Sequence, residues 1–336
     1  MVMLKPPAFW RNSAAHLLPA LLWPVEKLVI RIARQRQTRP GWRAAVPVLC
    51  CGNVTVGGTG KTPVVMDLAQ RLIRRGRTPH ILARGYGGHV PEGTRVDLTR
   101  HKAADVGDEP LLLAGVCPVW VGGDRILSAR RAIEAGADCL LMDDGFQNPG
   151  LHKMVSVLVV DGGAGIGNGH VLPAGPLREP LADALARSTA VLVTGEDSTG
   201  LLPTLRESGL PVIQAFFAQS AGVAALLDRP CFAFAGLGRP EKFFDTLRAA
   251  GVTLAGQRAF PDHHPYRARD LARLEDEARA YGALLVTTPK DHVRLPPEFL
   301  SRVSCVGVDL IWQDEAMPEW ILDRLLEGGQ HGSVVS

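Results

Sequence analysis

Apolar residues along the chain follow two different periods, and their alternation predicts a sheet covered by helices. Short continuous apolar runs end at positions 51, 83, 121, 142, 160 and 193, as expected of buried parallel strands. Between these runs, apolar residues recur three or four positions apart, for example over residues 64–73, which indicates amphipathic helices. Strands that alternate with helices predict an α/β fold whose parallel sheet is covered by helices.

A second pattern of strands and helices begins near residue 226 and predicts a smaller α/β domain. Its expected strands are residues 231–235, 284–287 and 303–311, and its expected helices are residues 241–250, 269–280 and 318–326. The predicted division is therefore an N-terminal segment, 1–45, a larger domain, 46–225, and a smaller domain, 226–336. A Gly- and Pro-rich stretch in the larger domain, residues 162–180, is interpreted as an ordered loop that serves as a lid or a substrate wall.

The N-terminal segment combines an apolar block with a concentration of basic residues. Residues 1–45 hold eight Lys or Arg and one acid, although the whole chain has a net charge of only +3. Glu26 and Lys27 interrupt the apolar block before it reaches the roughly 20 residues of a membrane-spanning helix. Two interpretations stay open: a helix in the membrane interface beside anionic headgroups, or a helix packed on the body of the protein. Pro24 is expected to end or kink this helix.

Residues 50–63, CCGNVTVGGTGKTP, lie between a predicted strand and a predicted helix. This is the context of a phosphate-binding P-loop, in which glycines let backbone N–H groups surround phosphate oxygens at a helix N-terminus. Lys61 is expected to contact the β- and γ-phosphates of a nucleotide, and the Thr62 hydroxyl a magnesium ion. Thr55 stands where the strict motif has Gly. The predicted nucleotide-binding residues are Thr55, Val56, Gly57, Gly58, Thr59, Gly60, Lys61 and Thr62.

Two acidic pairs are candidates for the chemistry. Asp143 and Asp144 follow an apolar strand downstream of the P-loop, where acids coordinate magnesium directly or through water. Asp108 and Glu109 stand at a loop-to-helix start. Asp108 is therefore interpreted either as a helix N-cap or as a base that accepts the proton of an acceptor hydroxyl, and spacing alone favours the N-cap.

Two loops carry polar residues whose role the spacing leaves open. His263 and His264 lie between Pro261 and Pro265, outside any regular helix interior, and both a surface and a catalytic role are compatible with that position. Residues 288–291, TPKD, are similar to a guanine-recognition motif but place the Lys one position too late. Adenine is therefore the expected base.

Composition narrows the class of protein further. The six cysteines form no CxxC pair and lie mostly in apolar runs, which predicts reduced core residues and argues against a disulfide framework or a zinc site. Outside the N-terminal segment the charge is slightly negative, with 29 bases and 33 acids after residue 45. We expect a monomer with no nucleic-acid partner.

Several of these blocks, in this order, resemble the tetraacyldisaccharide 4′-kinase family over residues 46–295. The matching stretches are GNVTVGGTGKTP at 52–63, RGYGG at 84–88, VGDEP at 106–110, DDGFQ at 143–147, LPAGPLREP at 172–180, FAGLGRPEKFF at 234–244, FPDHH at 260–264 and TTPKDHVRL at 287–295. The apolar and basic N-terminal segment resembles the membrane-associating helix of that family. His264 stands where the family usually has an aromatic residue, and Pro289 where it more often has Glu.

The resemblance implies a kinase that uses ATP and Mg²⁺ to phosphorylate the 4′-hydroxyl of an acylated disaccharide 1-phosphate in lipid A biosynthesis. It implies a peripheral location on the cytoplasmic face of the bacterial inner membrane. By resemblance, Asp108 is the catalytic base, His263 pairs with it, and Lys61 acts on the phosphates. The residues implied near magnesium are Thr62, Glu109, Asp143 and Asp144. Because Asp108 and His263 fall in different predicted domains, closure of the cleft is expected to assemble the site.

An alternative from the P-loop alone is an ATPase switch of the partitioning or metal-insertion type. Such switches share the GGTGKT core but usually carry a signature Lys before the two glycines, and Val56 occupies that position here. Phosphate transfer to an alcohol distinguishes the kinase from the switch.

Overall fold

The computed structural model describes residues 7–10, 17–38, 40–238 and 240–330. The strands are β1 (Val48–Gly52), β2 (Pro79–Ala83), β3 (Thr94–Arg95), β4 (Val119–Val121), β5 (Cys139–Asp143), β6 (Val155–Asp161), β7 (Ala190–Thr194), β8 (Val212–Gln219), β9 (Cys231–Ala235), β10 (Leu254–Ala259), β11 (Leu284–Thr287), β12 (Val303–Cys305) and β13 (Val308–Trp312). The α-helices are α1 (Leu17–Gln37), α2 (Lys61–Arg74), α3 (Ala103–Val106), α4 (Asp108–Ala114), α5 (Arg125–Glu134), α6 (Leu181–Leu185), α7 (Leu202–Arg206), α8 (Pro240–Ala249), α9 (Ala268–Ala280), α10 (Pro289–His292) and α11 (Ala316–Gln330). Short 3₁₀ helices cover Ala8–Trp10, Ala221–Leu226 and Pro297–Arg302.

A nine-stranded sheet carries the P-loop, in the order β13-β8-β7-β6-β1-β5-β2-β4-β3. Its inner strands are parallel, and the antiparallel pairs β3–β4 and β13–β8 lie at its two edges. β1 lies between β5 and β6, with Cys51 opposite Asp143. Because parallel strands end at the same edge of a sheet, the P-loop and the Asp143–Asp144 pair lie side by side. The predicted α/β fold is confirmed.

Alternation along β1 separates two apolar layers on the two faces of this sheet. Leu49 and Cys51 belong to one layer, which also holds Leu68 of α2, whereas Val48 and Cys50 belong to the other. Each fully buried Leu contributes about 1.5–3 kcal/mol. The two layers fix the strand and the helix that flank the P-loop.

A four-stranded parallel sheet, β10-β9-β11-β12, forms the smaller domain. The predicted strand at 303–311 is in fact two strands, and the second, β13, pairs with β8 of the larger sheet. α11 follows it and buries Ile321, Leu322 and Leu325 in the core of the larger sheet. The expected domain of residues 226–336 therefore needs correction at its C-terminal end, because the chain returns to the first sheet and covers its open edge. Apolar periodicity cannot show which sheet a strand joins.

α1 does not end at Pro24, which lies inside the helix. A proline removes one backbone hydrogen bond, and the next turns are held to the body of the protein by side-chain contacts. Val29 and Ile30 pack on the core, and the buried Glu26 carboxylate accepts hydrogen bonds from Val171 N at 2.7 Å and His170 Nδ1 at 3.0 Å. Among the residues in the described ranges, no helix is long and apolar enough to cross a membrane.

Candidate active site

The P-loop surrounds an open space at the N-terminus of α2. Gly57 and Gly60 have φ angles of 127° and 76°, in the left-handed region that favours glycine. A Cβ atom added to Gly57 or Gly58 would meet no atom within 4 Å. Asn53 supports the loop from below by donating to Thr55 O at 3.0 Å. The backbone therefore leaves room for phosphate oxygens beside a helix N-terminus.

The Gly- and Pro-rich stretch at 162–180 is an ordered wall of the P-loop. Val56 N donates to Pro176 O at 2.8 Å, and Arg178 N donates to Val54 O at 2.6 Å. The same stretch contacts α1 through the bond between Val171 N and Glu26. One short stretch thus connects the phosphate site to the N-terminal helix.

Two cations face Asp144 beside the P-loop. Lys61 Nζ lies 3.8 Å from Asp144 Oδ1, and Arg178 Nη1 donates to both Asp144 oxygens at 2.9 and 3.0 Å. Burial lowers the pKa of Lys61, although Asp144 and Asp143 oppose the shift. The Asp144 carboxylate therefore holds Lys61 and Arg178 together. Both cations are available to an anionic ligand.

Asp143 is a buried carboxylate with an unused oxygen. Its Oδ1 has no hydrogen-bond partner among the residues that the structure describes, and burial raises its pKa to about 6. An unpartnered buried oxygen of this kind suits a cation, and Thr62 lies in the first turn of the adjacent α2. Within the described part of the chain, no three His, Cys, Asp or Glu side chains form a metal cluster. Mg²⁺ does not require one, because it commonly binds one or two carboxylates, waters and substrate phosphates.

Asp108 is held from the smaller domain by two side chains. His263 Nδ1 donates to Asp108 Oδ2 at 2.7 Å, and Arg294 Nη2 donates to the same oxygen at 2.6 Å. Burial alone would raise the pKa of Asp108, but these two hydrogen bonds outweigh it and hold that pKa below its usual value. The bond to Asp108 in turn raises the pKa of His263. The structure thus brings together the predicted base and its predicted partner.

The alternative N-cap interpretation of Asp108 is wrong. Gly107 is the N-cap of α4, Asp108 is its first helical residue, and Asp108 makes no capping bond. Its neighbour Glu109 forms an ion pair with Lys290 of α10. Burial alone would raise the pKa of Glu109, but the charge of Lys290 and its hydrogen bond outweigh burial and lower that pKa. Glu109 also contributes to the raised pKa of Asp143, and α2 packs against both α4 and β5, which carry the two acidic pairs.

His263 and His264 have different surroundings. His263 has a φ of 58°, an unusual value for a side chain other than Gly, and it reaches Asp108 across the cleft. His264 stacks on Phe260, with ring centroids 4.6 Å apart, and contacts Asp270 at 3.3 Å. The geometry therefore selects His263 as the partner of Asp108, and His264 takes the packing role of an aromatic residue.

Sequence reasoning assigned no role to Arg294 or Arg178, and it left Lys290 undecided. All three lie in stretches that carried the family resemblance, and that position is the sequence signal that could have found them. Which carboxylate each one contacts depends on how the two domains meet, and one-dimensional patterns do not contain that information.

Comparisons with known proteins show the family of the chain. The family model described as tetraacyldisaccharide-1-P 4′-kinase matches residues 18–326. A tetraacyldisaccharide 4′-kinase of Gluconacetobacter diazotrophicus is 53% identical over 321 residues, covering 96% of this chain and 98% of the relative. One of Rhodospirillum centenum is 50% identical over 336 residues, covering 98% and 99%. Among solved structures, Aquifex aeolicus LpxK in complex with ATP matches with a TM-score of 0.73 at 26% identity, covering 92% of this chain and 99% of that one.

Proposed function

The chain belongs to the tetraacyldisaccharide-1-P 4′-kinase family, and we infer that its site transfers the γ-phosphate of ATP to the 4′-hydroxyl of tetraacyldisaccharide 1-phosphate. One arrangement carries this inference to the residues: Asp108 contacts His263 across the cleft, and its helix α4 packs against α2, which begins at Lys61 of the P-loop. These contacts support a base beside a phosphate site.

In the proposed step, the 4′-oxygen forms a bond to the γ-phosphorus while the bond from that phosphorus to the ADP oxygen breaks. Asp108 accepts the proton of the hydroxyl, and Lys61 stabilises the charge on the phosphoryl oxygens. Phosphoryl transfer passes through a loose transition state with little bonding to the nucleophile. A carboxylate with a lowered pKa is therefore sufficient as a base, since the proton leaves late.

We propose that Asp143, Asp144 and Thr62 hold Mg²⁺, with Glu109 beside them. When bound, the ion neutralises charge on the transferred phosphate. The support is the unpartnered Asp143 oxygen and the place of Thr62 in the first turn of α2, the helix that packs against β5. In the structure, Glu109 pairs with Lys290, so the Glu109 carboxylate already lies beside a positive charge.

We also propose that closing the cleft assembles the site and that the contacts of Asp108 with His263 and Arg294 belong to the closed form, because both side chains come from the smaller domain. Excluding water during closure would protect the phosphoryl group from hydrolysis. Small-angle scattering with a non-hydrolysable ATP analogue and Mg²⁺ should show a smaller radius of gyration. An unchanged radius together with unchanged hydrogen exchange in the cleft would refute closure.

We propose that α1 places the enzyme on the anionic cytoplasmic surface of the inner membrane. Its outward face carries a continuous apolar stripe, whereas Glu26 fixes the opposite face to the protein. The stripe consists of Leu17, Leu18, Leu21, Val25, Leu28 and Ile32, all exposed. Exposed apolar residues on a helix with Arg near its C-terminus suit the membrane interface. A helix packed on the body by its apolar face would bury this stripe instead.

Flotation with anionic lipid vesicles tests this surface. The double variant Leu21→Glu and Leu28→Glu should lose vesicle binding and keep its affinity for ATP. Leu98→Glu is a matched control, because Leu98 is a similarly exposed leucine outside α1. Vesicle binding by the double variant equal to that of the parent would exclude α1 as the membrane contact.

The reaction itself is tested with γ-labelled ATP and detergent-dispersed tetraacyldisaccharide 1-phosphate. The proposed function predicts label on the 4′-oxygen and ADP formation that depends on the lipid. ATP hydrolysis without transfer to the lipid would instead support the ATPase switch. The comparisons and the absence of the signature Lys at Val56 both argue against that alternative.

A further inference from the structure

Arg294 is a buried arginine that follows α10, and it is one of the two side chains that hold Asp108 from the smaller domain. Only 3% of its side chain is exposed, as is 6% of that of Asp108. Burying a guanidinium is costly unless carboxylates or carbonyls satisfy it. Here it bridges two acids: Nη2 donates to Asp108 at 2.6 Å and Nη1 donates to Asp291 at 3.0 Å.

Contacts within the smaller domain fix the orientation of the Arg294 side chain independently of Asp108. Asp291 is fully buried, and its carboxylate accepts from Gly236 N at 2.8 Å, Tyr266 OH at 2.8 Å and Thr288 Oγ1 at 2.6 Å. This satisfied carboxylate in turn holds the guanidinium of Arg294. The guanidinium of Arg294 therefore has one orientation, which the smaller domain sets. This orientation limits those available to the Asp108 carboxylate.

A single carbonyl joins the two groups that hold Asp108. Gly236 O accepts from Arg294 Nη1 at 3.0 Å and from His263 N at 3.2 Å. Both groups then donate to the same oxygen of Asp108, Oδ2. In the part of the chain that the structure describes, Oδ1 accepts no hydrogen bond from another side chain. The geometry leaves Oδ1 as the oxygen that can accept a proton.

Resting on the proposed function, we propose that Arg294 is a positioning residue of the phosphoryl transfer. It holds Oδ2 of Asp108 so that Oδ1 faces the 4′-hydroxyl, and it touches neither ATP nor the lipid. Lysine cannot replace it fully, because a single ammonium does not reproduce a planar fork that serves two carboxylates. Misplacing a catalytic group by about 1 Å costs on the order of 10²-fold in rate.

This role predicts a loss in kcat with little change in KM. Arg294→Met should lower kcat by about 10²-fold and leave the KM values for ATP and the disaccharide close to those of the parent. Arg294→Lys should recover part of the rate, since it keeps a positive charge beside Oδ2. Arg258→Met is the matched control: Arg258 pairs with Glu277 inside the smaller domain at 2.5 Å, and its loss should leave kcat unchanged.

A double-mutant cycle with Asp108→Asn separates positioning from general stability. If Arg294 acts only through Asp108, the variant with both substitutions is as slow as Asp108→Asn alone. Slowing by the product of the two single effects would overturn the inference and leave the base assignment intact. If Asp108→Asn alone keeps the parent rate, both the base assignment and the inference fail. Should Arg294→Met not fold, the same cycle with Arg294→Lys gives the same decision.

Discussion

Replacing Asp143 by Asn tests whether this protein keeps a buried carboxylate at a cost to its stability in order to bind a cation. Burial raises the pKa of Asp143 to about 6 from its ordinary value of 3.8. A group whose folded-state pKa is raised stabilises the fold below its unfolded pKa, and this contribution is lost as the pH rises through about 6. Without a bound ion, the parent should therefore become less stable from acid to neutral pH, to the extent that Asp143 ionises.

The size of this effect follows from the two pKa values. They differ by roughly two units, which corresponds to about 3 kcal/mol in total, and about 1.4 kcal/mol of it falls between pH 5 and pH 8. Asn carries no charge at either pH. The melting temperature of Asp143→Asn relative to the parent should accordingly rise by about 3–6 °C over this interval. The comparison across pH cancels the fixed cost of burying the amide.

Scanning calorimetry with and without Mg²⁺ and ATP measures both the pH dependence of the melting temperature and its increase on ligand binding. A ligand at about 100 times its Kd stabilises the parent by about 2.7 kcal/mol, and most of this gain should disappear in Asp143→Asn. Asp161→Asn is the control, because Asp161 also ends a strand of the same sheet but caps Gly163 N at 2.9 Å. Parallel pH curves for parent and variant, or equal stabilisation by Mg²⁺ and ATP, would refute the reasoning.

Three further predictions concern the P-loop, the C-terminus and α1. Gly60→Ala should lower stability, because its φ is 76° and a Cβ would lie 2.4 Å from Phe217. Gly58→Ala should instead leave stability unchanged and weaken ATP binding in calorimetric titration. Leu322→Ala should cost about 2–5 kcal/mol in the melting transition that ATP stabilises, since α11 packs on the larger sheet; a loss confined to the other domain would contradict this. Glu26→Ala should cost about 1–3 kcal/mol locally by leaving Val171 N unpaired, and faster hydrogen exchange in α1 should report it.

Much of the fold was predictable because it depends on local patterns. The strand, glycine turn and helix around Lys61 follow from periodicity and turn chemistry, and the acids after β5 follow from the shared edge of parallel strands. The return of β13 to β8 was not predictable, because an edge strand can join either sheet without changing its own pattern. The site divides in the same way. Lys61 and Asp143 are marked by motif context, whereas the role of Arg294 follows from the domain contact that places it on Asp108.

The most direct test of the central claim is the rate of phosphate transfer by Asp108→Asn at saturating ATP and disaccharide. The account predicts a rate about 10²- to 10⁴-fold below that of the parent, with ATP affinity and melting temperature close to the parent values. A variant that transfers phosphate at nearly the parent rate would contradict the account, because Asp108 would then not be the group that accepts the hydroxyl proton.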